Sequence, residues 1–206
     1  MPNLLIASTN PGKLYEFQEI FAGLNLTWLS HVTLQLPSDL GIQLQVEETG
    51  ATYAENAALK ALAYSRASGL LTLADDSGLE VEALDGQPGL HSARYALDPH
   101  ATDADRRALL LMNLHGKPRP WRAAFQCALA LAQPDGSLSL HAGTCPGEII
   151  PDERGSNGFG YDPIFLLPEL GRSMAELTTV EKNQLSHRVR AVQAALPTLQ
   201  MLLEER

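Results

Sequence analysis

The chain has 206 residues, 45% hydrophobic and 19% charged, which is the composition of an ordinary globular protein. Its formal charge of −9 argues against a broad basic surface, so no nucleic-acid partner is expected. No stretch approaches the roughly 18 apolar residues of a membrane-spanning helix, and no leader-like segment opens the chain, so we expect a cytoplasmic protein without a membrane partner. Two cysteines do not make a disulfide framework in a chain of this length, and we expect both to be reduced.

The N-terminal segment has the pattern of a strand, a turn and a helix start. Residues 3–8 predict a short buried strand, and the run STNPGK is typical of a tight turn, with Asn10 or Thr9 as helix cap and Pro11 in the first turn. Because required glycines are missing, it is neither a Walker loop nor a Rossmann fingerprint. Two interpretations stay open: a capped helix with a surface lysine, or a phosphate site formed by backbone N–H groups, hydroxyls and Lys13.

Acidic residues follow in two places. Residues 32–46 alternate like strand residues and end in EETG at residues 47–50. The next predicted helix carries Asn56 and Lys60 four residues apart, hence on one face. After it, LLTLADDSGLEVEAL predicts strand structure interrupted by an acidic turn at residues 75–78. Paired carboxylates in such a turn suit Mg²⁺, with EETG as a second source of ligands; the alternative for each acidic pair is a solvated turn.

The rest of the chain predicts a helix over residues 102–114 and a hairpin of strands over 122–132 and 137–144, joined by PDG. A long glycine-rich loop, RGSNGFGYDPIF, then runs into a strand, and the C-terminal third is helical with a break or kink at Pro197. Alternating strands and helices followed by a hairpin indicate a mixed α/β sheet.

Two more segments are candidates for binding. Glycines in NGFGYDPIF allow close approach of the backbone to a ligand, while Phe159 or Tyr161 offers a stacking surface; packing on the core is the alternative. Lys182, His187 and Arg188 place three cations or donors within seven residues, although a solvated helix end has the same pattern. No Ser-His-Asp constellation and no Cys/His metal spacing is evident, so zinc and a covalent nucleophile are unsupported.

Taken in order, STNPGK, EETG, ENAALKA, ADDSGL, PGLHSARY, GFGYDPIF and SHR resemble the inosine/xanthosine triphosphate pyrophosphatase family, the Ham1-like enzymes that remove noncanonical purine nucleotides. The resemblance runs from Leu4 to about Arg190, with His91 as a departure in the PGLHSARY loop. It implies one domain over residues 1–206, with a two-lobed α/β fold, a long central mixed β-sheet flanked by helices, and a substrate cleft between the lobes. It also implies a homodimer and Mg²⁺-dependent hydrolysis of ITP, dITP and XTP to the monophosphate and pyrophosphate.

The resemblance further implies residue roles. Asp76 is expected to be the general base and a metal ligand, with Asp75 beside it; Glu47 or Glu48 completes the metal site, and Glu47 is favoured. The residues expected to bind the triphosphate are Ser8, Thr9, Asn10, Pro11, Gly12, Lys13 and Lys60, with Ser77 also touching the substrate. The residues expected to hold the base are Phe159, Gly160, Tyr161, Asp162, Lys182, His187 and Arg188.

Base selectivity has a simple chemical basis in this interpretation. Hypoxanthine and xanthine carry a 6-oxo acceptor where adenine carries an amino donor, so a donor such as Lys182 favours the former. Two alternatives remain: a related pyrophosphatase with a different or broader base preference, and a non-catalytic nucleotide-binding module. The many acids of EETG and ADDSGL argue against the second, because binding alone does not require them.

Overall fold

The structure is a computed structural model that describes residues 2–8, 10–24 and 26–204, and of Pro11 only the backbone. The helices are α1 (Pro11–Gly23), α2 (Tyr53–Ser68), α3 (Asp103–Leu114), α4 (Thr179–Leu185) and α5 (His187–Glu204). The strands are β1 (Asn3–Ile6), β2 (Thr33–Gln35), β3 (Leu71–Val81), β4 (Trp121–Ala132), β5 (Leu138–Ile149), β6 (Phe165–Leu167) and β7 (Arg172–Ser173). Among these described residues, no helix is long and apolar enough to cross a membrane.

The strands form one mixed seven-stranded sheet in the order β2-β1-β3-β4-β5-β6-β7. β1 runs parallel to both β2 and β3, with Leu4 opposite Leu34 and Leu71. β6 runs antiparallel to β5 and to β7. The prediction of an α/β fold with a long mixed sheet flanked by helices is confirmed, whereas the substrate cleft stays a prediction.

The chain divides into two compact units. Unit 1 comprises Met1–Asp76, Cys127–Gly143 and Arg188–Arg206, and unit 2 comprises Ser77–Gln126 and Thr144–His187. Strands β3, β4 and β5 therefore each contribute residues to both units. The assignment of residues 1–206 to a single functional domain stays a prediction.

Unit 1 has a hydrophobic core on each face of its strands. Successive strand residues point to opposite faces, so Leu71 and Leu73 of β3 pack with α1 and α5, while Ala74 packs with α2. The α2 face is lined by small side chains, which allow the helix to lie close to the strands; they are Ala7, Ala57, Ala61, Ala74, Ala128, Ala130 and Ala132. The helices on the two faces determine which groups the polar side chains of β3 in unit 1 contact.

Unit 2 has its own core, in which strand residues pack against α3. Leu110 and Leu114 of α3 are fully buried among side chains that include Leu79 and Phe165. The rings of Phe125 and Phe165 lie with their centroids 4.4 Å apart. The GFGYDPIF segment is a loop that runs into a strand, β6, as predicted; the short 3-10 helix Asp162–Ile164 just before that strand was not predicted.

Three local predictions were wrong. Strand β3 continues through residues 75–78, where an acidic turn was expected. Asp, Ser and Gly are rare in strands, but burial between two helical layers and specific partners for both aspartates outweigh that preference. Of the break or kink expected at Pro197, the break is wrong, because α5 includes this residue; the kink stays a prediction. The expected strand pattern over residues 32–46 yields only β2, and residues 42–50, all described, form no helix or strand.

Candidate active site

The turn before α1 is ordered by its own side chains. Asn10 is the N-cap, as predicted: its side-chain oxygen accepts hydrogen bonds from the backbone N–H groups of Gly12 (2.9 Å) and Lys13 (3.2 Å). Ser8 Oγ accepts a further one from Asn10 N at 3.2 Å. Two helix N–H groups are thus already bonded, so an anion here would meet chiefly the helix dipole and Lys13. The predicted binding residue Thr9 lies outside the described residues, as does the side chain of Pro11.

Asp75 and Asp76 are consecutive residues of a strand and therefore point to opposite faces of the sheet. Asp75 is directed to the side of α1 and α5, and Asp76 to the side of α2. Their adjacency in the sequence predicted one pair of carboxylates in a turn. The structure instead gives each its own set of partners, and their chemistry differs accordingly.

Asp75 belongs to a buried network of charges. Its Oδ2 atom lies 3.0 Å from Lys13 Nζ and accepts hydrogen bonds from Arg188 Nη2 and Nε at 3.2 and 3.3 Å. Arg188, only 1% exposed, also donates through Nη1 to Glu16 and lies over the ring of Phe17. A carboxylate and a guanidinium are tolerated here because each is paired.

The charges of this network shift its titrations. Burial alone would raise the pKa of Asp75, but the positive charges of Lys13, Arg188 and Lys60 outweigh it and hold that pKa well below its ordinary value. Burial, reinforced by the charge of Asp75, raises the pKa of the neighbouring Cys127 thiol to about 12. Cys127 is therefore an unreactive thiol at neutral pH.

Asp76 is held by α2. Asn56, 3% exposed, donates from Nδ2 to Asp76 Oδ2 (3.0 Å) and accepts from Gly50 N through Oδ1 (2.8 Å). The N–H of Gly50 fixes which end of the amide is which. A Cβ atom at Gly50 would lie 2.7 Å from Asn56 Oδ1, so only glycine allows this approach. One amide thereby joins the EETG segment to β3.

Lys60 lies beside both acids on this side. Its Nζ atom is 2.8 Å from Glu48 Oε1 and 3.9 Å from Asp76 Oδ1. Burial lowers the pKa of Lys60, but the charges of Asp75 and Asp76 and the hydrogen bond to Glu48 outweigh it and raise the pKa overall. Burial is also the main influence on Asp76, whose pKa is raised in spite of Lys60, Lys13 and the Asn56 hydrogen bond.

The donor set around Lys60 fits a divalent cation. The carboxylates of Glu48 and Asp76 already share one positive charge, and carboxylate oxygens are the ligands that Mg²⁺ prefers. Asp75 Oδ1 is buried and accepts no hydrogen bond from any residue that the structure describes. Over the described ranges, no three His, Cys, Asp or Glu side chains are close enough to form a metal site on their own. Glu47 is exposed, whereas Glu48 is half-buried.

A second cluster lies in unit 2, on the GFGYDPIF loop. Asp162 Oδ2 accepts hydrogen bonds from Lys182 Nζ (2.7 Å) and from the backbone N–H of Phe159 (3.0 Å). The Lys182 ammonium lies 5.1 Å from the centre of the Phe159 ring. Gly158 has φ +75°, and a Cβ there would collide with the Asp162 carboxylate, so a glycine is required. An aromatic face, an acid and a lysine are thus brought together.

Other residues predicted to hold a base have structural contacts. Tyr161 is 4% exposed and donates its hydroxyl proton to Ser92 O at 2.9 Å, which leaves the half-buried Phe159 as the aromatic available for stacking. His187 is buried and stacks on Phe125 with centroids 4.9 Å apart. Arg188, by contrast, belongs to unit 1 and contacts acids there.

Two sets of positioning residues were not predicted from the sequence. Gly160 donates its N–H to Asp103 Oδ2 (2.7 Å) and accepts at its carbonyl from Arg107 Nη1 (2.8 Å), so α3 fixes the loop between Phe159 and Asp162. Asp103 and Arg107 are four residues apart, a spacing that would have signalled a shared helix face. Glu16, the partner of Arg188, carried no local signal, because its partner is 172 residues away.

Comparison with known proteins agrees with this architecture. The sequence profile described as the Ham1 family matches residues 4–198. The dITP/XTP pyrophosphatase of Deinococcus deserti is 48% identical over 193 residues, covering 93% of this chain and 86% of the relative. The protein of the same name from Synechocystis is 47% identical over 192 residues, covering 93% and 92%.

Solved structures give the same result. The Staphylococcus aureus Ham1 protein superposes with a TM-score of 0.82 at 40% identity, covering 98% of each chain. The nucleoside-triphosphatase or dITP/XTP pyrophosphatase of Mycobacterium abscessus gives 0.74 at 41% identity, covering 96% of this chain and 99% of its own. The chain belongs to the Ham1 family, and the family predicted from the sequence motifs is confirmed.

Proposed function

We propose that this protein hydrolyses ITP, dITP and XTP to the nucleoside monophosphate and pyrophosphate, and so removes them from the nucleotide pool. The observation that carries the proposal is 47–48% identity, over nearly the whole chain, to relatives named dITP/XTP pyrophosphatase. The clusters around Asp76 and Asp162 support it: the first offers acids for a metal and a cation for phosphates, and the second offers polar groups for a base.

The triphosphate is assigned to unit 1. It carries about four negative charges, so a protein with net charge −9 must supply local cations. Lys13 and Lys60 provide them, and the ion pair with Asp75 keeps the Lys13 ammonium in place beside the α1 turn. Ser8, Asn10 and Gly12 of that turn are proposed to contact the phosphates, with Ser77 as a further contact.

We assign the metal, Mg²⁺, to Asp76 and Glu48. Glu48 replaces Glu47 as the favoured second ligand, because it is the glutamate that shares Lys60 with Asp76. When bound, Mg²⁺ would polarise the phosphate oxygens and offset the charge that develops on the pyrophosphate leaving group.

Asp76 is the proposed general base. Water attacking the α-phosphorus must lose a proton, and the carboxylate of Asp76, oriented by its hydrogen bond from Asn56, is the acceptor. Asp75 takes a different role: it positions Lys13 and balances Arg188.

The base is assigned to the loop cluster of unit 2. Phe159 would stack on the purine, and Lys182, oriented by Asp162, would donate to a 6-oxo group. An adenine amino group would leave that donor unpaired, which is the kind of mismatch that gives strong discrimination. Direct roles for Gly160, Tyr161, His187 and Arg188 in base binding remain predictions. We also propose a cytoplasmic homodimer, as the family resemblance implies.

The test is the rate of pyrophosphate release from ITP, XTP, GTP, ATP and dTTP, each with Mg²⁺ and with EDTA. We expect kcat/KM for ITP and XTP to exceed that for ATP by about 100-fold or more, and EDTA to abolish release. Similar rates for all five would indicate the related pyrophosphatase of broader preference. Nucleotide binding without release from any of them would indicate a non-catalytic module.

A further inference from the structure

Lys60 lies beside Glu48 and Asp76, the two acids to which the metal is assigned. Its ammonium is 2.8 Å from Glu48 and 3.9 Å from Asp76, and its side chain is 15% exposed. Asn56 binds the other oxygen of Asp76, Oδ2, so the Oδ1 atom is the one nearest Lys60. All of these groups lie in unit 1, on α2, β3 and the EETG segment.

We propose that Lys60 is a resident cation that the metal must displace. In the metal-free protein its ammonium balances Glu48 and Asp76 and holds them together. When metal and triphosphate bind, Lys60 leaves the acids and pairs with the phosphates. The proposal rests on the assignment of metal and triphosphate to this cluster, and adds that the two ligands bind cooperatively because one lysine links them.

The charge of Lys60 and the flexibility of its side chain both favour this exchange. A divalent ion bound to both carboxylates would lie within a few ångströms of the Lys60 ammonium, and like charges at that separation repel. Lysine is a compact point charge on a flexible four-carbon stem, so it can move by rotation of its own bonds. The triphosphate supplies the new partner. Without nucleotide, displacement of Lys60 leaves its charge uncompensated, and metal binding should therefore be weak.

The experiment measures the affinity of nucleotide-free protein for Mn²⁺, followed by its paramagnetic resonance signal. Lys60→Met removes the charge and keeps most of the stem, and we expect it to bind Mn²⁺ about tenfold more tightly than the unaltered protein. Arg66→Met is the matched control: it removes an equal charge from an exposed position in the last turn of the same helix, and we expect a change of less than about threefold.

A second titration with a non-hydrolysable ITP analogue tests the coupling. In the unaltered protein the analogue should tighten Mn²⁺ binding, and in Lys60→Met the gain should be smaller, because no lysine remains to be released. Lys60→Gln also removes the charge and should also tighten Mn²⁺ binding, so it tests the same prediction if Lys60→Met folds poorly. Unchanged or weaker Mn²⁺ binding by the folded Lys60 variants would overturn the proposal.

Failure of this inference is distinguishable from failure of the proposed function. Normal Mg²⁺-dependent release of pyrophosphate from ITP, together with no gain in Mn²⁺ affinity in the variants, would refute the exchange alone. Glu48→Gln should weaken Mn²⁺ binding with or without the analogue. If it does not, the metal lies elsewhere and the exchange is refuted together with the assigned ligands.

Discussion

Asp76→Asn is expected to lower the rate of ITP hydrolysis by about 10³-fold or more while the nucleotide still binds. The amide has nearly the same shape and can still accept the Asn56 hydrogen bond. It is not a base and is a poor metal ligand, so proton transfer and metal binding are lost together. Steady-state kinetics with ITP measures the loss of turnover, and equilibrium binding of an ITP analogue measures whether the nucleotide still binds.

The same substitution should not destabilise the metal-free protein. Because the pKa of Asp76 is raised in the folded protein, the protein loses stability as the pH rises through the unfolded and then the folded pKa of this residue. At neutral pH the charge of Asp76 is therefore unfavourable for folding. Its removal should leave Tm unchanged or higher. Glu80→Gln, on the same strand, is the control and should keep turnover within about threefold of normal. Turnover of Asp76→Asn near the normal rate would refute its role as base.

Arg188→Met is expected to lower the free energy of unfolding by about 3–5 kcal/mol. The substitution leaves the buried carboxylates of Asp75 and Glu16 without the guanidinium that pairs with both, and also removes its contact with Phe17. Urea denaturation at neutral pH measures the loss. Arg190→Met, an exposed position on the same helix, should change the free energy by about 0.5 kcal/mol or less.

The pH dependence of the free energy of unfolding shows whether the loss in Arg188→Met comes from unpaired charge or from lost packing. In the unaltered protein the pKa of Asp75 is held well below its ordinary value of 3.8, so its ion pairs stabilise fully above that pH and are lost only as the pH falls through the folded pKa. In Arg188→Met, burial is opposed by fewer charges, so the buried acids take up protons at higher pH and the variant regains stability as the pH falls. The difference in free energy of unfolding between the unaltered protein and Arg188→Met should therefore become smaller from pH 7.5 to pH 4.5. A constant gap would indicate lost packing rather than unpaired charge.

Local sequence patterns were sufficient for features that depend on neighbouring residues. The Asn10 cap, the presence of helix α2 and the loop before β6 all follow from residues a few positions apart. The family resemblance added the order of the motifs, which no single motif contained. Together they were enough to predict the fold class and to select most of the residues around Asp76 and Asp162.

Features that depend on distant partners were not accessible in this way. ADDSGL has the composition of a turn, yet it is a strand because its aspartates meet Arg188 on one face and Asn56 on the other. The preference for Glu48 over Glu47 as the proposed ligand required the position of Lys60, and the role of Glu16 required the position of Arg188. In each case the deciding contact joins residues that are not neighbours in the chain, separated by 12 residues for Glu48 and Lys60 and by 172 for Glu16 and Arg188.

The measurement that tests the central claim most directly is a ³¹P NMR time course on one mixture of dITP, XTP and ATP with the protein and Mg²⁺. The proposed function predicts a pyrophosphate signal that grows in step with the loss of dITP and XTP, while ATP remains. Formation of orthophosphate from the substrates, or loss of ATP at the same rate as the others, would contradict it.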